Sequence, residues 1–259
     1  MSGFLRNVRL SAGIFLILAI ASSCNNRYDK FLGDNFASGK VPEAFLREAA
    51  PGAVALVGCC LYYEAGLQKG IAAGQKWVYT NSGKYAPQSC TFDHMVQSGM
   101  YGSNCALPAS WAYMDMGIME EGMRFWGASD GDFARLDKVR ASIEKAATIT
   151  KLDGSRKFGE MFAEGEVKPG DVFLCAGHTF IYLYDNLFFA AGHDSKWHAD
   201  PTAPTEDRRQ AVFDSWIVPM ESCHDVDCCP TWQISFKDDY MPEFYRNSAG
   251  ELVPNPASL

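Results

Sequence analysis

A chain of 259 residues that is 47% hydrophobic and 21% charged can bury one sizeable core, and its residue usage is that of an ordinary globular protein. Wholesale disorder and a multispan membrane architecture are excluded on that ground. The formal charge of −8 moves to −10 once the two positive charges of Arg6 and Arg9 leave with the leader described next. This is a poor balance for a polyphosphate partner, so no nucleic acid is expected.

Residues 1–23 place Arg6 and Arg9 ahead of an apolar run, Leu10 to Ile20, and then Ala21-Ser22-Ser23 directly before Cys24. The pattern predicts an export signal, because the run is shorter than the roughly 20 residues that a comfortable span requires. Small residues followed by cysteine resemble a bacterial lipobox, with Ala21 where leucine is commoner. That resemblance implies a lipid on Cys24 and an exported lipoprotein of the bacterial cell envelope, held at the membrane through its anchor. Asn25, in place of aspartate, points away from inner-membrane retention. Polar residues from 25 to 42 then read as a tether.

Order is expected from Val41-Pro42. Pro42 opens a helix through Ala44, Phe45 and Ala49, and Pro51-Gly52 interrupts it. The run Ala53 to Ala65 is apolar on almost every side, which predicts a buried helix stopped by Gly66 and Gly70. Residues 74–83 read as an irregular aromatic loop, and 82–101 as loop throughout. The stretch Ser103 to Ala112 then places Cys105 in the first turn of a helix. Leu107, Trp111 and Met114 give that helix an apolar stripe, Pro108 is tolerated only in an opening turn, and Gly117 ends it. A thiol there meets the positive end of the helix dipole and unpaired N–H groups, which favour the thiolate. The competing reading makes Cys105 a small buried hydrophobe.

Phe133, Leu136, Val139, Ile143 and Ala147 keep three-or-four spacing and predict an amphipathic helix over Ser129–Ala147, followed by turns and a short helical piece up to Gly165. The pattern then changes to β. Lys168-Pro169-Gly170-Asp171 is a turn, Val172–Cys175 and His178–Tyr184 are strands, and Asp185-Asn186 closes a hairpin onto Leu187–Ala191. Further strands are expected at Val212–Val218 and Thr231–Phe236, with a frayed tail after Tyr245. Helices first and an antiparallel sheet afterwards define an α+β fold in one domain.

Nine cysteines in an exported chain imply that some pair, with connectivity left open. Setting aside Cys24 and Cys105 leaves seven. Cys223-His224-Asp225 and Asp227-Cys228-Cys229 lack a second element that would complete a tetrahedral set, so a disulfide-stapled loop is favoured over a metal site.

A thiol nucleophile needs a base and a group that orients the base, and His178, at a strand start after Gly177, is the natural base. Gly74 to Tyr79, Asn104-Cys105, and Lys168-Pro169-Gly170-Asp171-Val172 leading to Gly177-His178-Thr179-Phe180-Ile181-Tyr182-Leu183 together resemble the NlpC-type cell-wall cysteine peptidases. These are a branch of the papain-like superfamily, and the matching order covers most of residues 53–193. The resemblance implies a papain-like domain over 43–236 with a helical insertion around 129–165 and a C-terminal tail over 237–259. It implies Cys105 as nucleophile, His178 as base and Tyr79 as a substrate-side aromatic, without cofactor or metal. The expected reaction is cleavage of a peptide or amide bond in peptidoglycan stem peptides. Asn104 and Ala106 depart from the family's aspartate and serine. The orienting residue is expected just after the hairpin, where Phe189-Ala190 offers no polar group; His193 is assigned, with Asp194 next and no third residue as the remaining alternative. Two other functions stay open: an amidase or acyl-transfer enzyme on a non-wall substrate, and a non-catalytic, disulfide-stapled binding lipoprotein.

Overall fold

Alternation along two adjacent strands sets the layers of the fold. In the computed structural model, which describes residues 40–79, 90–125, 133–191, 215–220 and 224–258, strands β4 (Val172–Cys175) and β5 (His178–Tyr184) are buried on both faces. Val172, Leu174, Ile181 and Leu183 join the main core, while Phe173, Cys175, Phe180 and Tyr182 form a second cluster behind the sheet. The leader, Cys24 and the tether up to residue 39 lie outside the described residues.

The sheet has six antiparallel strands. With β3 (Ala147–Lys151), β6 (Leu187–Phe189), β7 (Ile217–Pro219) and β8 (Trp232–Phe236), the order is β3-β8-β4-β5-β6-β7. The protein is therefore mixed α+β. Helices α1 (Glu43–Glu48) and α2 (Pro51–Ala72) precede the short pair β1 (Val78–Tyr79) and β2 (Gly102–Ser103), with α3 (Phe92–Gln97) between them. Helices α4 (Leu107–Asp115) and α5 (Asp137–Ala146) complete the main-core side, whereas α6 (Phe158–Ala163) contributes Phe158 and Met161 to the second cluster. No helix among the described residues is long and apolar enough to cross a membrane.

Four expectations are corrected. Gly66 and Gly70 do not stop α2; both lie within it. They are notches for aromatic rings, since a Cβ at Gly66 would stand 2.6 Å from the Phe92 ring and one at Gly70 2.5 Å from Trp77 Nε1. The segment read as loop up to Tyr101 contains α3, too short to show a period but capped by Thr91, whose Oγ1 accepts a hydrogen bond from His94 N at 3.2 Å. The helix expected to run to Ala147 ends at Ala146, and Ala147–Lys151 continues directly as β3, paired along its length with β8. β-Branched Thr148, Ile149 and Thr150 suit that strand. The expected helix is also interrupted: Phe133 and Ala134 are helical, a break at Arg135-Leu136 follows, and α5 begins at Asp137, while residues 126–132 lie outside the described residues.

The fourth correction concerns the tail. Strands β9 (Phe244–Arg246) and β10 (Leu252–Pro254) form an antiparallel hairpin. The hairpin inserts Arg246, only 2% exposed, between Asp115 at the end of α4 and Asp93 in α3. Arg246 Nε and Nη2 donate to Asp115 Oδ2 at 3.0 and 2.7 Å, Nη2 donates to Asp93 Oδ2 at 3.0 Å, and Tyr63 OH donates to Asp115 Oδ2 at 2.7 Å. Burial pushes the Asp115 carboxyl up and Arg246 draws it back, which keeps a charged pair inside the core. Burial is the largest single influence on the Arg246 charge and works against it, but Asp115, Tyr63, Cys59 and Asp93 together outweigh it and raise the guanidinium.

Removing one partner of such a pair strands the other charge in the core, so Arg246→Ala is expected to cost about 3–5 kcal/mol of stability. Urea unfolding of the variant checks this, and a loss under about 1 kcal/mol, the size of an exposed pair, would contradict the buried network.

Candidate active site

The site begins at the short parallel pair. Val78 lies opposite Gly102 and Tyr79 opposite Ser103, so Tyr79 flanks the strand that leads into Cys105. Asn104 then turns the chain into α4. Its Oδ1 accepts hydrogen bonds from the backbone N–H groups of Ala106 and Leu107, both at 3.0 Å, which is the work of a helix cap. Cys105 lies in the turn that this side chain closes, two residues ahead of Leu107 and not in the helix's first turn as expected, and its own N–H has no partner among the described residues. Pro108 sits in the opening turn as expected, and Gly117, at φ +76°, terminates the helix. Ser110 braces the far side of the turn, donating to Ala106 O and accepting from Phe125 N, each at 2.8 Å.

The thiol of Cys105 donates to the carbonyl oxygen of Gly177 at 3.8 Å. Gly177, with φ +78°, is the second residue of the two-residue turn between β4 and β5, and His178 follows it directly. The structure thus brings Cys105 and the His178 segment together from positions 72 residues apart in the contact. His178 itself is buried, and its ring lies nearly parallel to Phe180 at 5.9 Å. Strand alternation puts it on the α6 side of the sheet with Phe180 and Cys175, not on the face that α4 covers. His178 therefore projects from the face opposite α4, and Cys105 meets its segment at the backbone of the turn. No hydrogen bond joins them, and the thiol's partner among the described residues is Gly177 O.

Three thiols in the core are poorer candidates. Cys59 and Cys60 have no exposure in α2, and burial pushes both thiols well up; Cys90 is shifted the same way. Cys105 retains 7% exposure. Cys175 and Cys228 form a disulfide that ties the end of β4 to the segment ahead of β8, one pairing within the connectivity that spacing left open. Among the described residues no group of three His, Cys, Asp or Glu side chains could hold a metal. Cys223 lies outside them, as do His193 and Asp194, the residues expected to orient His178.

The Lys168-Pro169-Gly170-Asp171 turn has a structural task. Asp171 Oδ2 accepts from Lys168 N at 2.8 Å and from Gln233 Nε2 at 2.7 Å, while a Cβ at Gly170 would stand 2.5 Å from that of Ala53. The turn thereby seats the start of α2 on the sheet. Two cavities lie elsewhere, one of about 470 Å³ bounded by Phe45, Tyr182 and Phe236 and one of about 660 Å³ along Thr148, Gln233 and Ser235. Neither is lined by Cys105 or His178.

The chain matches no protein-family profile, no curated protein and no solved structure. Sequence reasoning missed two contributors to this site, the Asn104 cap and the Cys175–Cys228 disulfide. Asparagine before a helix is a readable capping signal, whereas the pairing of cysteines is not readable from spacing.

Asn104→Ala is expected to lower stability by about 1 kcal/mol, with Asn104→Asp retaining most of it because the carboxylate still accepts from the same N–H groups. Thermal melts of the two variants check this; equal losses would show that the cap is not what holds the Cys105 turn.

Proposed function

We propose that the protein is a cysteine hydrolase of papain-like architecture that cleaves a peptide or amide bond in peptidoglycan stem peptides, as a lipoprotein anchored through Cys24 in a bacterial envelope. The observation that carries this reading is the 3.8 Å contact between a thiol at a capped helix start and the turn that presents His178. Cys105 is the nucleophile and His178 the base, and proton transfer between them requires that the thiol leave Gly177 O and meet the imidazole around the turn. Catalytic contacts are commonly loose before substrate binds.

The chemistry is acyl transfer. The thiol proton passes to His178, the Cys105 thiolate attacks the scissile carbonyl carbon, and the Cys105 N–H donates to the oxyanion. The tetrahedral species collapses as the imidazolium protonates the leaving amine, leaving a thioester on Cys105. Water, deprotonated by His178, then releases the carboxylate and regenerates the thiol. Tyr79, in β1 opposite Ser103 of β2, flanks the acyl portion of the substrate, and His193 or Asp194 orients the imidazole.

A second reading is favoured by one feature: the thiol is engaged by a backbone carbonyl and not by the imidazole. On that reading the chain is a binding lipoprotein that keeps the scaffold without the reaction. Digestion of defined muropeptides decides. Cys105→Ala and His178→Ala are each expected to lower product formation by at least about 100-fold while leaving the melting temperature near that of the parent chain. Undiminished turnover by Cys105→Ala overturns the hydrolase assignment, and a parent chain without turnover on muropeptides favours the binding role.

A further inference from the structure

The disulfide has a position that the proposed mechanism does not use. Cys175 and His178 are opposite one another across the β4–β5 turn, and directly paired residues in an antiparallel ladder share a face with their Cβ atoms about 4.5–5.5 Å apart. The Cys175 side chain therefore stands beside the imidazole on the α6 side of the sheet. Phe180 flanks the ring from the next same-face position of β5, at 5.9 Å. The ring is hemmed by an aromatic along its own strand and by a sulfur across the turn.

The other half of the disulfide is itself anchored. Cys228 O accepts from Phe158 N at 2.8 Å, which fixes the first turn of α6, and Thr231 N and Oγ1 both donate to Leu174 O, at 2.8 and 3.2 Å. The covalent bond thus joins three parts around the turn: the end of β4, the segment leading into β8, and the helix that covers the His178 face. The bond links positions 53 residues apart in sequence, so opening it removes the one covalent tie between the end of β4 and the segment leading into β8.

We propose that the Cys175–Cys228 disulfide is a positioning device for the base, holding the Gly177–His178 turn against the Cys105 thiol. Cys175 and Cys228 are positioning residues that act through His178, and the inference rests on the assignment of Cys105 and His178 as a catalytic pair. Opening the bond requires a two-electron reductant such as a dithiol. Two electrons and two protons pass to the sulfurs of Cys175 and Cys228, the S–S bond breaks, and the dithiol closes to its own disulfide.

The test reads the thiol without any substrate. Iodoacetamide labelling of Cys105 is followed peptide by peptide by mass spectrometry across a pH series in the full chain, in His178→Ala and in Cys175→Ser/Cys228→Ser. The parent chain is expected to label Cys105 near pH 6 about tenfold faster than His178→Ala does, because an imidazole partner that accepts the thiol proton makes the sulfur the better nucleophile. The double variant is expected to fall to the His178→Ala profile while its circular dichroism stays that of the parent. Parent-like labelling in the folded double variant overturns the positioning role and leaves the catalytic pair standing. Labelling of the parent chain that is indifferent to His178→Ala overturns the pair, and the positioning role with it. Should the double variant not fold, the same labelling on the parent chain after dithiothreitol reduction and removal of the reagent decides by the same criterion. A purely architectural disulfide would lower the melting temperature and leave the labelling profile where it was.

Discussion

Burial of the β4–β5 hairpin on both faces is the constraint from which the rest follows. A strand buried on one face leaves its other face in solvent, but here Leu174 and Ile181 meet the helices while Phe173 and Phe180 meet α6. The strands are held from both sides while the turn at Ala176-Gly177 is exposed at their end, and there the chain entering α4 makes its contact with Gly177 O. That is why the thiol of Cys105 meets a backbone carbonyl of the turn and not a side chain of the covered face. The cap on Asn104 and the disulfide at Cys175 are two fasteners on one junction, one on each side of the sheet.

A second set of contacts keeps α4 in place from its other end. Asp115 closes the helix that follows the Cys105 turn, and it is bound by Arg246 from the C-terminal hairpin and by Tyr63 from α2. Apolar packing fixes where α4 lies but is poor at fixing its axial register, since dispersion is non-directional. A buried ion pair with directed hydrogen bonds supplies that register and hence the height at which Cys105 meets Gly177. The closing residues of the chain thereby bear on a site far from them in sequence.

The readable parts of this protein were those whose signal is local. The β4, β5, β6 and β8 segments, with runs such as Val172–Cys175 and the Asp185-Asn186 turn, were legible from alternation and turn chemistry. The Cys105 helix start was legible from Pro108 and Gly117. Gly66 and Gly70 misled because a glycine inside a helix reads as a stop, when its purpose is room for Phe92 and Trp77, side chains from other elements. The tail misled for a related reason: Phe244–Arg246 and Leu252–Pro254 are too short to show a period, and Arg246 reads as a surface charge unless Asp115 and Asp93 are already beside it.

The sequence by itself determined that the chain is an α+β protein with a cysteine at a helix start and a histidine at a strand start, because caps, prolines and period-two alternation act within a few residues. Only the tertiary structure decided that Cys105 touches the turn carrying His178, that the imidazole stands on the far face beside Phe180, and that Cys175 pairs with Cys228. Each of these depends on where separate elements come to rest. That placement comes from core packing and from directed bonds such as Arg246 to Asp115, which leave no periodic trace in the residues that make them.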